Sequence, residues 1–134
     1  MTRVYVDMVG DLFHYGHVAF LRKVRDLGDH IIVGICSDES AQANKRVPIM
    51  DMEERVASAA GCRYVDEVVP NAPWTIDAAW IETHEIDLVV HGDDYSPEQQ
   101  ESFYGVPMAM GIFRTVPYTP TISTTEIIRR CKEA

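Results

Sequence analysis

The chain has 134 residues, 46% of them hydrophobic and 25% charged, which suits one globular domain with a real core and excludes a disordered chain. Its net charge of −9 excludes a broad nucleic-acid surface, which needs a basic face, while leaving room for a small anion held by a few local donors. Apolar runs such as Ile31 to Cys36 are too short for a bilayer, and Arg3 leads straight into a strand-like run, so neither membrane insertion nor a signal peptide is expected.

Arg3 to Val9 (RVYVDMV) reads as a buried strand. Gly16 to Leu27 carries His17, Phe20, Leu21, Val24 and Leu27 at helical spacing, and Gly28 supplies a stop. His30 to Cys36 is a second strand, nearly all apolar, as expected when helices cover both faces of a sheet. Ser37 to Pro48 reads as a polar, mobile segment. Asp51 is placed to cap a helix running to Ala60, with Glu54 as the other half of a capping box. A third strand is predicted over Val65 to Val69, a helix over Thr75 to His84 and a fourth strand over Asp87 to His91. A fifth strand over Ile112 to Val116 and a helix over Ser123 to Lys132 complete the pattern.

Alternating strands and helices of these lengths predict a doubly wound, five-stranded parallel sheet, an α/β Rossmann-like architecture. Right-handed crossovers place the strand-to-helix loops along the C-terminal edge of the sheet, where ligands bind in this class. The expectation is that the first, fourth and last of these loops converge on one crevice. Cys36, Cys62 and Cys131 are odd in number and widely spaced, which fits reduced thiols in a cytoplasm better than a disulfide framework or a zinc site.

The stretch GDLFHYGH (10–17) sets His14 and His17 three residues apart where strand becomes helix. At that spacing both rings share a helix face, and the helix N-terminus attracts anions. Gly16 between them lets a ligand approach the backbone. Three readings compete: one ring packed and one solvated, a metal site with Asp11 as a further ligand, and a phosphate site using the rings as donors. Lys45 and Arg46 form a compact positive pair, and Thr119, Thr121, Ser123, Thr124 and Thr125 crowd the start of the last helix. Two anion-seeking helix ends on one edge favour a polyphosphate.

With these segments in view, the sequence resembles the HxGH-type cytidylyltransferases, which make CDP-alcohols from CTP. GDLFHYGH (10–17), Arg55 with RYVDEVVP (63–70), HGDD (91–94) and ISTTEIIRR (122–130) match in order. The APW at 72–74 and VHGDD at 90–94 are most similar to phosphoethanolamine cytidylyltransferases, with glycerol-3-phosphate cytidylyltransferases similar over most of the same segments. The resemblance implies that His14 and His17 contact the CTP phosphates and stabilise the transition state, with Asp11 orienting the loop and Lys45 binding a phosphate. It also implies positive charge from Arg55 and Arg63, nucleoside contacts from Asp94 and its neighbours, and terminal phosphates on Ser123 and Thr124. Val9, Gly10, Gly16, Gly92, Arg114, Tyr118 and Ile122 complete the implied nucleotide-binding set. For Arg55 a surface pair with Glu54 or Asp51 is the plain alternative, and Trp74 reads equally as a core or interface aromatic.

Two positions depart from the family pattern. Gly10 stands where relatives carry an aromatic before the Asp, and Tyr118 stands where they carry an Arg ahead of ISTT. Arg114, four residues upstream, replaces that cation only if the chain bends back. The implied activity is transfer of CMP from CTP to a small alcohol phosphate or phosphonate: phosphoethanolamine-like, glycerol 3-phosphate or 2-hydroxyethylphosphonate. Mg²⁺ is expected on the triphosphate with few protein ligands. Protonated histidines are expected as donors, their pKa raised from about 6.5 by the phosphates. The resemblance further implies a homodimer built around residues 63–68, with Arg63 near the shared surface. Residues 1–134 read as a single cytidylyltransferase domain, whether alone or within a longer protein. Rival readings are an adenylyltransferase of the same fold, a non-catalytic nucleotide-binding module and a metal hydrolase.

Overall fold

The computed structural model describes residues 1–134. Five parallel strands, β1 (Arg3–Met8), β2 (His30–Cys36), β3 (Glu67–Ala72), β4 (Leu88–Gly92) and β5 (Phe113–Val116), form one sheet in the order β3-β2-β1-β4-β5. Because β1 is central, its alternate side chains build two cores. Val4 and Val6 face α1 (Tyr15–Arg25) and α3 (Met52–Ala60), packing with Leu21, Val24 and Ala59. Tyr5 faces the other layer, with Ile81 of α4 (Ala78–Thr83) and Tyr104 of α5 (Pro97–Ala109). α2 (Asp38–Asn44) and α6 (Thr124–Glu133) lie at the C-terminal edge of the sheet, where their caps hold loops together. The chain builds outward through β2 and β3, then returns to β4 on the far side of β1. That reversal leaves a crevice beyond the ends of β1 and β4, as the rule for open parallel sheets requires.

Most predicted elements stand, with instructive shifts. The segment after β2 is not an irregular mobile stretch: Ser37 caps α2, its side chain accepting the Ser40 N–H at 3.1 Å. Only Ala41 of that helix is buried, so it carries no apolar stripe to be recognised. β3 starts two residues late and runs through Pro70, which is tolerated because β3 is an edge strand and needs no donor on its open side. Asn71, at φ +56°, then makes an irregularity that brings Ala72 against Cys36.

The sequence reading missed α5 altogether. Gly105, Pro107 and non-helical Tyr104 break its periodicity, and only Tyr104 and Pro107 are buried. A capping signal was nevertheless present: Ser96 caps, Pro97 starts the helix and Gln99 closes the capping box. All three cysteines are free thiols. No helix is long and apolar enough to cross a membrane.

Candidate active site

The crevice has a volume of about 570 Å³, within the range of small-molecule sites. The end of β1 supplies Val9, Gly10 and Asp11, and the start of α1 supplies His14, Gly16 and His17. Gly92 and Asp94 follow β4, Tyr118, Ile122, Ser123 and Thr124 lead into α6, and Lys45 with Arg46 come from the loop after α2.

The histidines do something that spacing alone did not suggest: they cap their own helix. His14 is the N-cap of α1, and its Nδ1 accepts the Gly16 N–H at 3.0 Å. His17 is the third helical residue, and its Nδ1 accepts the His14 N–H at 3.0 Å. This is a capping box made of two imidazoles. Since each Nδ1 accepts, each ring is neutral with its proton on Nε2. Burial, then the nearby His14 and Lys45, pushes the His17 pKa down to about 3, and burial lowers that of His14. The expectation of imidazolium donors is therefore corrected for the free site. The rings are neutral Nε2–H donors, pre-oriented by backbone amides. His14 Nε2 lies 3.3 Å from the Thr124 hydroxyl, which itself donates to the Asp11 carbonyl at 3.1 Å, so the α1 and α6 N-termini are tied across the crevice.

Gly16 also has a different cause from the one expected. A Cβ there would lie 2.8 Å from Cε1 of His14, so the glycine makes room for the capping ring. Gly10 adopts φ +70°, and a Cβ on it would meet Ile35 Cδ1 at 3.1 Å. With Leu12 also left-handed at φ +51°, the loop turns too tightly for an aromatic at position 10 without strain. Asp11 is buried, and its two carboxylate oxygens accept the N–H groups of Ile49 and Met50, each at 2.9 Å. It is a positioning residue that pins the segment carrying Lys45 and Arg46. With both oxygens so engaged, it is not presented to the histidines as a metal ligand.

Three arginines assigned to the nucleotide from sequence do not line the crevice. Arg55 is completely buried, and its guanidinium donates to the carbonyls of Val9 at 2.8 Å, Cys36 at 3.0 Å and Met50 at 3.2 Å, and to Asp38. It staples β1, β2 and α3 beneath the site. The surface pairing considered for it fails as well, because Glu54 and Asp51 cap α3 reciprocally. Arg63 is exposed on the turn after α3, three residues before Asp66, whose N–H donates to the Ile31 carbonyl at the start of β2; within one chain that is the opposite edge of the sheet. Arg114 is exposed on edge strand β5, so it does not replace the cation absent at Tyr118. The Tyr118 N–H is instead held by Asp93 Oδ1 at 2.8 Å.

Sequence reasoning also missed a recess at the deep end. Asp7, Cys36, Lys45, Trp74, His91, Tyr95 and Tyr104 line about 40 Å³ beside the main cavity. Asp7 accepts the Tyr104 hydroxyl at 2.7 Å, and its pKa is raised by burial, an effect offset in part by His91. His91 stacks on Tyr95 with centroids 4.3 Å apart, and Lys45 Nζ sits 5.9 Å from the Trp74 ring centre. An acidic residue near the C-terminal end of an otherwise apolar strand was the available signal.

With this geometry the comparisons with known proteins agree. The Cytidylyltransferase-like family model matches residues 10–130, and the chain belongs to that family. Over 134 positions it is 45% identical to the ethanolamine-phosphate cytidylyltransferase of Arabidopsis thaliana, covering 95% of this chain and 32% of that one. It is 41% identical over 132 positions to the choline-phosphate cytidylyltransferase A of Rattus norvegicus, covering 96% of this chain and 36% of that one. The chain thus spans about a third of the length of these curated relatives. The crystal structure of a lipopolysaccharide core biosynthesis protein from Thermoplasma volcanium shares the fold, with TM-score 0.70, 24% identity, and coverage of 89% of this chain and 97% of that one.

Proposed function

We propose that the chain transfers CMP from CTP to a small alcohol phosphate, releasing pyrophosphate. The observation that carries this reading is the pair of histidines fixed as neutral Nε2–H donors at one helix N-terminus, facing a second helix N-terminus across a crevice with Lys45 and Arg46. Such a site offers donors to a polyphosphate, and the proposed reaction needs no general base. A phosphomonoester has a second pKa of about 6 and is largely ionised at pH 7, so its oxygen attacks the α-phosphorus directly. A new O–Pα bond forms, the Pα–O bond to the β-phosphate breaks, and pyrophosphate leaves with the electron pair. The protein aligns two anions that repel each other, and its donors meet the charge that grows on the non-bridging oxygens. Mg²⁺ enters with the triphosphate as part of the substrate; Asp7 and Asp11 are engaged by hydrogen bonds, so Asp94 is the carboxylate left to meet its water shell.

Among acceptors, the recess favours one bearing an ammonium group, as in phosphoethanolamine. A half-buried carboxylate among Trp74, Tyr95 and Tyr104 is stabilised by a bound cation, and aromatic faces add to it. The small volume of the recess favours a primary over a trimethylated ammonium. CTP is preferred over ATP because the similar relatives are named cytidylyltransferases. A homodimer using the exposed Arg63 edge, and a cytoplasmic location, belong to the same proposal; sedimentation tests the first and cell fractionation the second. The function is tested by pyrophosphate release with CTP and phosphoethanolamine, phosphocholine, glycerol 3-phosphate or 2-hydroxyethylphosphonate, repeated with Asp7→Asn. Loss of preference for the ammonium-bearing acceptor in that variant supports the assignment of the recess, and an unchanged preference overturns it.

A further inference from the structure

The proposed reaction brings a triphosphate and a phosphate monoester into one crevice, yet only two of the side chains lining it carry a fixed positive charge, Lys45 and Arg46. The histidines do not make up the deficit, since both Nδ1 atoms accept backbone N–H groups and the rings are neutral. Lys45 stands toward the deep end, where it also lines the recess with Asp7 and has its Nζ 5.9 Å from the Trp74 ring centre. The other end of the crevice, at α6, has Ser123, Thr124 and Thr125 but no cation of its own.

Arg46 reaches that end from outside. Its guanidinium crosses from the loop after α2 and donates to Thr125 Oγ1 at 2.5 Å, joining residues 79 positions apart. No other hydrogen bond or ion pair engages its side chain. A single bond to an exposed threonine hydroxyl uses one of five donors in a fork whose geometry suits phosphate oxygens. The loop itself is firm, because Asp11 pins Ile49 and Met50 and α2 precedes it. A long side chain on an anchored loop, resting on the helix end that receives the phosphates, is placed to exchange one weak partner for a strong one.

We propose that Arg46 is a movable clamp for the β- and γ-phosphates, exchanging Thr125 Oγ1 for phosphate oxygens when nucleotide binds and following pyrophosphate as it leaves. It supplies from the opposite wall the charge that neither Tyr118 nor Arg114 provides. The inference rests on the CTP reading above. It is tested by calorimetric titration of CTP, CMP and pyrophosphate into the full chain, with Arg46→Met, Arg46→Lys and Thr125→Val alongside. Loss of a charge-assisted phosphate contact predicts CTP and pyrophosphate weakened on the order of 10–100-fold in Arg46→Met, while CMP, which lacks those phosphates, changes by less than about threefold. Arg46→Lys should keep part of the affinity, and Thr125→Val should cost less than Arg46→Met. Equal weakening of CTP and CMP, no weakening of CTP, or a Thr125→Val loss as large as that of Arg46→Met overturns the clamp and leaves Arg46 a structural latch. An unmodified chain that fails to bind CTP overturns the reading beneath it instead.

Discussion

Replacing Arg55 by Leu separates the structural account most sharply from the one read off the sequence. As a ligand contact, its loss would raise KM and leave folding intact. As a buried staple, its loss strands three carbonyls, those of Val9, Cys36 and Met50. An unsatisfied buried polar group costs about 1–3 kcal/mol, and the leucine returns about 1–2 kcal/mol of burial. The net loss should be about 3–5 kcal/mol, the usual range for breaking a buried charged network. That is a large part of the about 5–15 kcal/mol available to a domain. With a urea m-value of about 2 kcal/mol/M, the unfolding midpoint should fall by about 2 M. Arg55→Lys, which keeps the charge but cannot span three carbonyls, should recover only part of it. Equilibrium urea unfolding followed by circular dichroism gives the numbers. A wild-type midpoint combined with a raised KM for CTP would return the guanidinium to the ligand and refute the argument.

The histidines should show two separable losses. His14→Ala should lower kcat on the order of 10²–10⁴-fold and stability by about 1 kcal/mol, the cost of a lost N-cap; His14→Asn, a good cap without Nε2–H, should restore stability but not turnover. Equal kcat in the Asn variant and wild type would remove His14 from catalysis. His17, held down to about 3 in the folded chain against about 6.5 unfolded, binds its proton in the unfolded state first. Its contribution is therefore intact above about pH 6.5 and is lost as pH falls toward 3. Between pH 7 and 5 this amounts to about 1–2 kcal/mol, and urea midpoints of His17→Gln should fall less over that interval than those of the wild type. Parallel falls in the two proteins would contradict the depressed pKa. Lys45→Ala should raise KM on the order of tenfold or more through loss of a charged contact with little change in melting temperature, whereas a lowered melting temperature with unchanged kinetics would make Lys45 structural.

Periodicity and caps made much of this molecule legible. β2 is apolar from Ile31 onward and was bounded correctly from sequence, and the Asp51–Glu54 capping box marked α3. The crevice followed from the alternation of strands and helices, because right-handed crossovers gather the strand-to-helix loops of a parallel sheet at one edge. What escaped was tertiary in origin. α2 buries a single alanine and α5 is broken at Tyr104 and Pro107, so neither presents a stripe to read. Arg55 looked like a surface charge because no local pattern reveals that three carbonyls from different elements converge on it. The imidazole capping box was in plain sight at 14 and 17, but Ser, Thr, Asp and Asn are the residues one looks for at a cap. Asp7 was hidden in a strand, where an acid reads as a blemish until the fold sets aromatics around it.

The central claim is the transfer itself, and it is met most directly by incubating the purified chain with CTP, Mg²⁺ and each acceptor in turn, measuring pyrophosphate and the cytidine-containing product together. The account predicts stoichiometric pyrophosphate and a CDP-alcohol, fastest with phosphoethanolamine and abolished in the His14→Ala, His17→Ala double variant. Pyrophosphate released from ATP in preference to CTP, or CTP bound with no product from any acceptor, would contradict it.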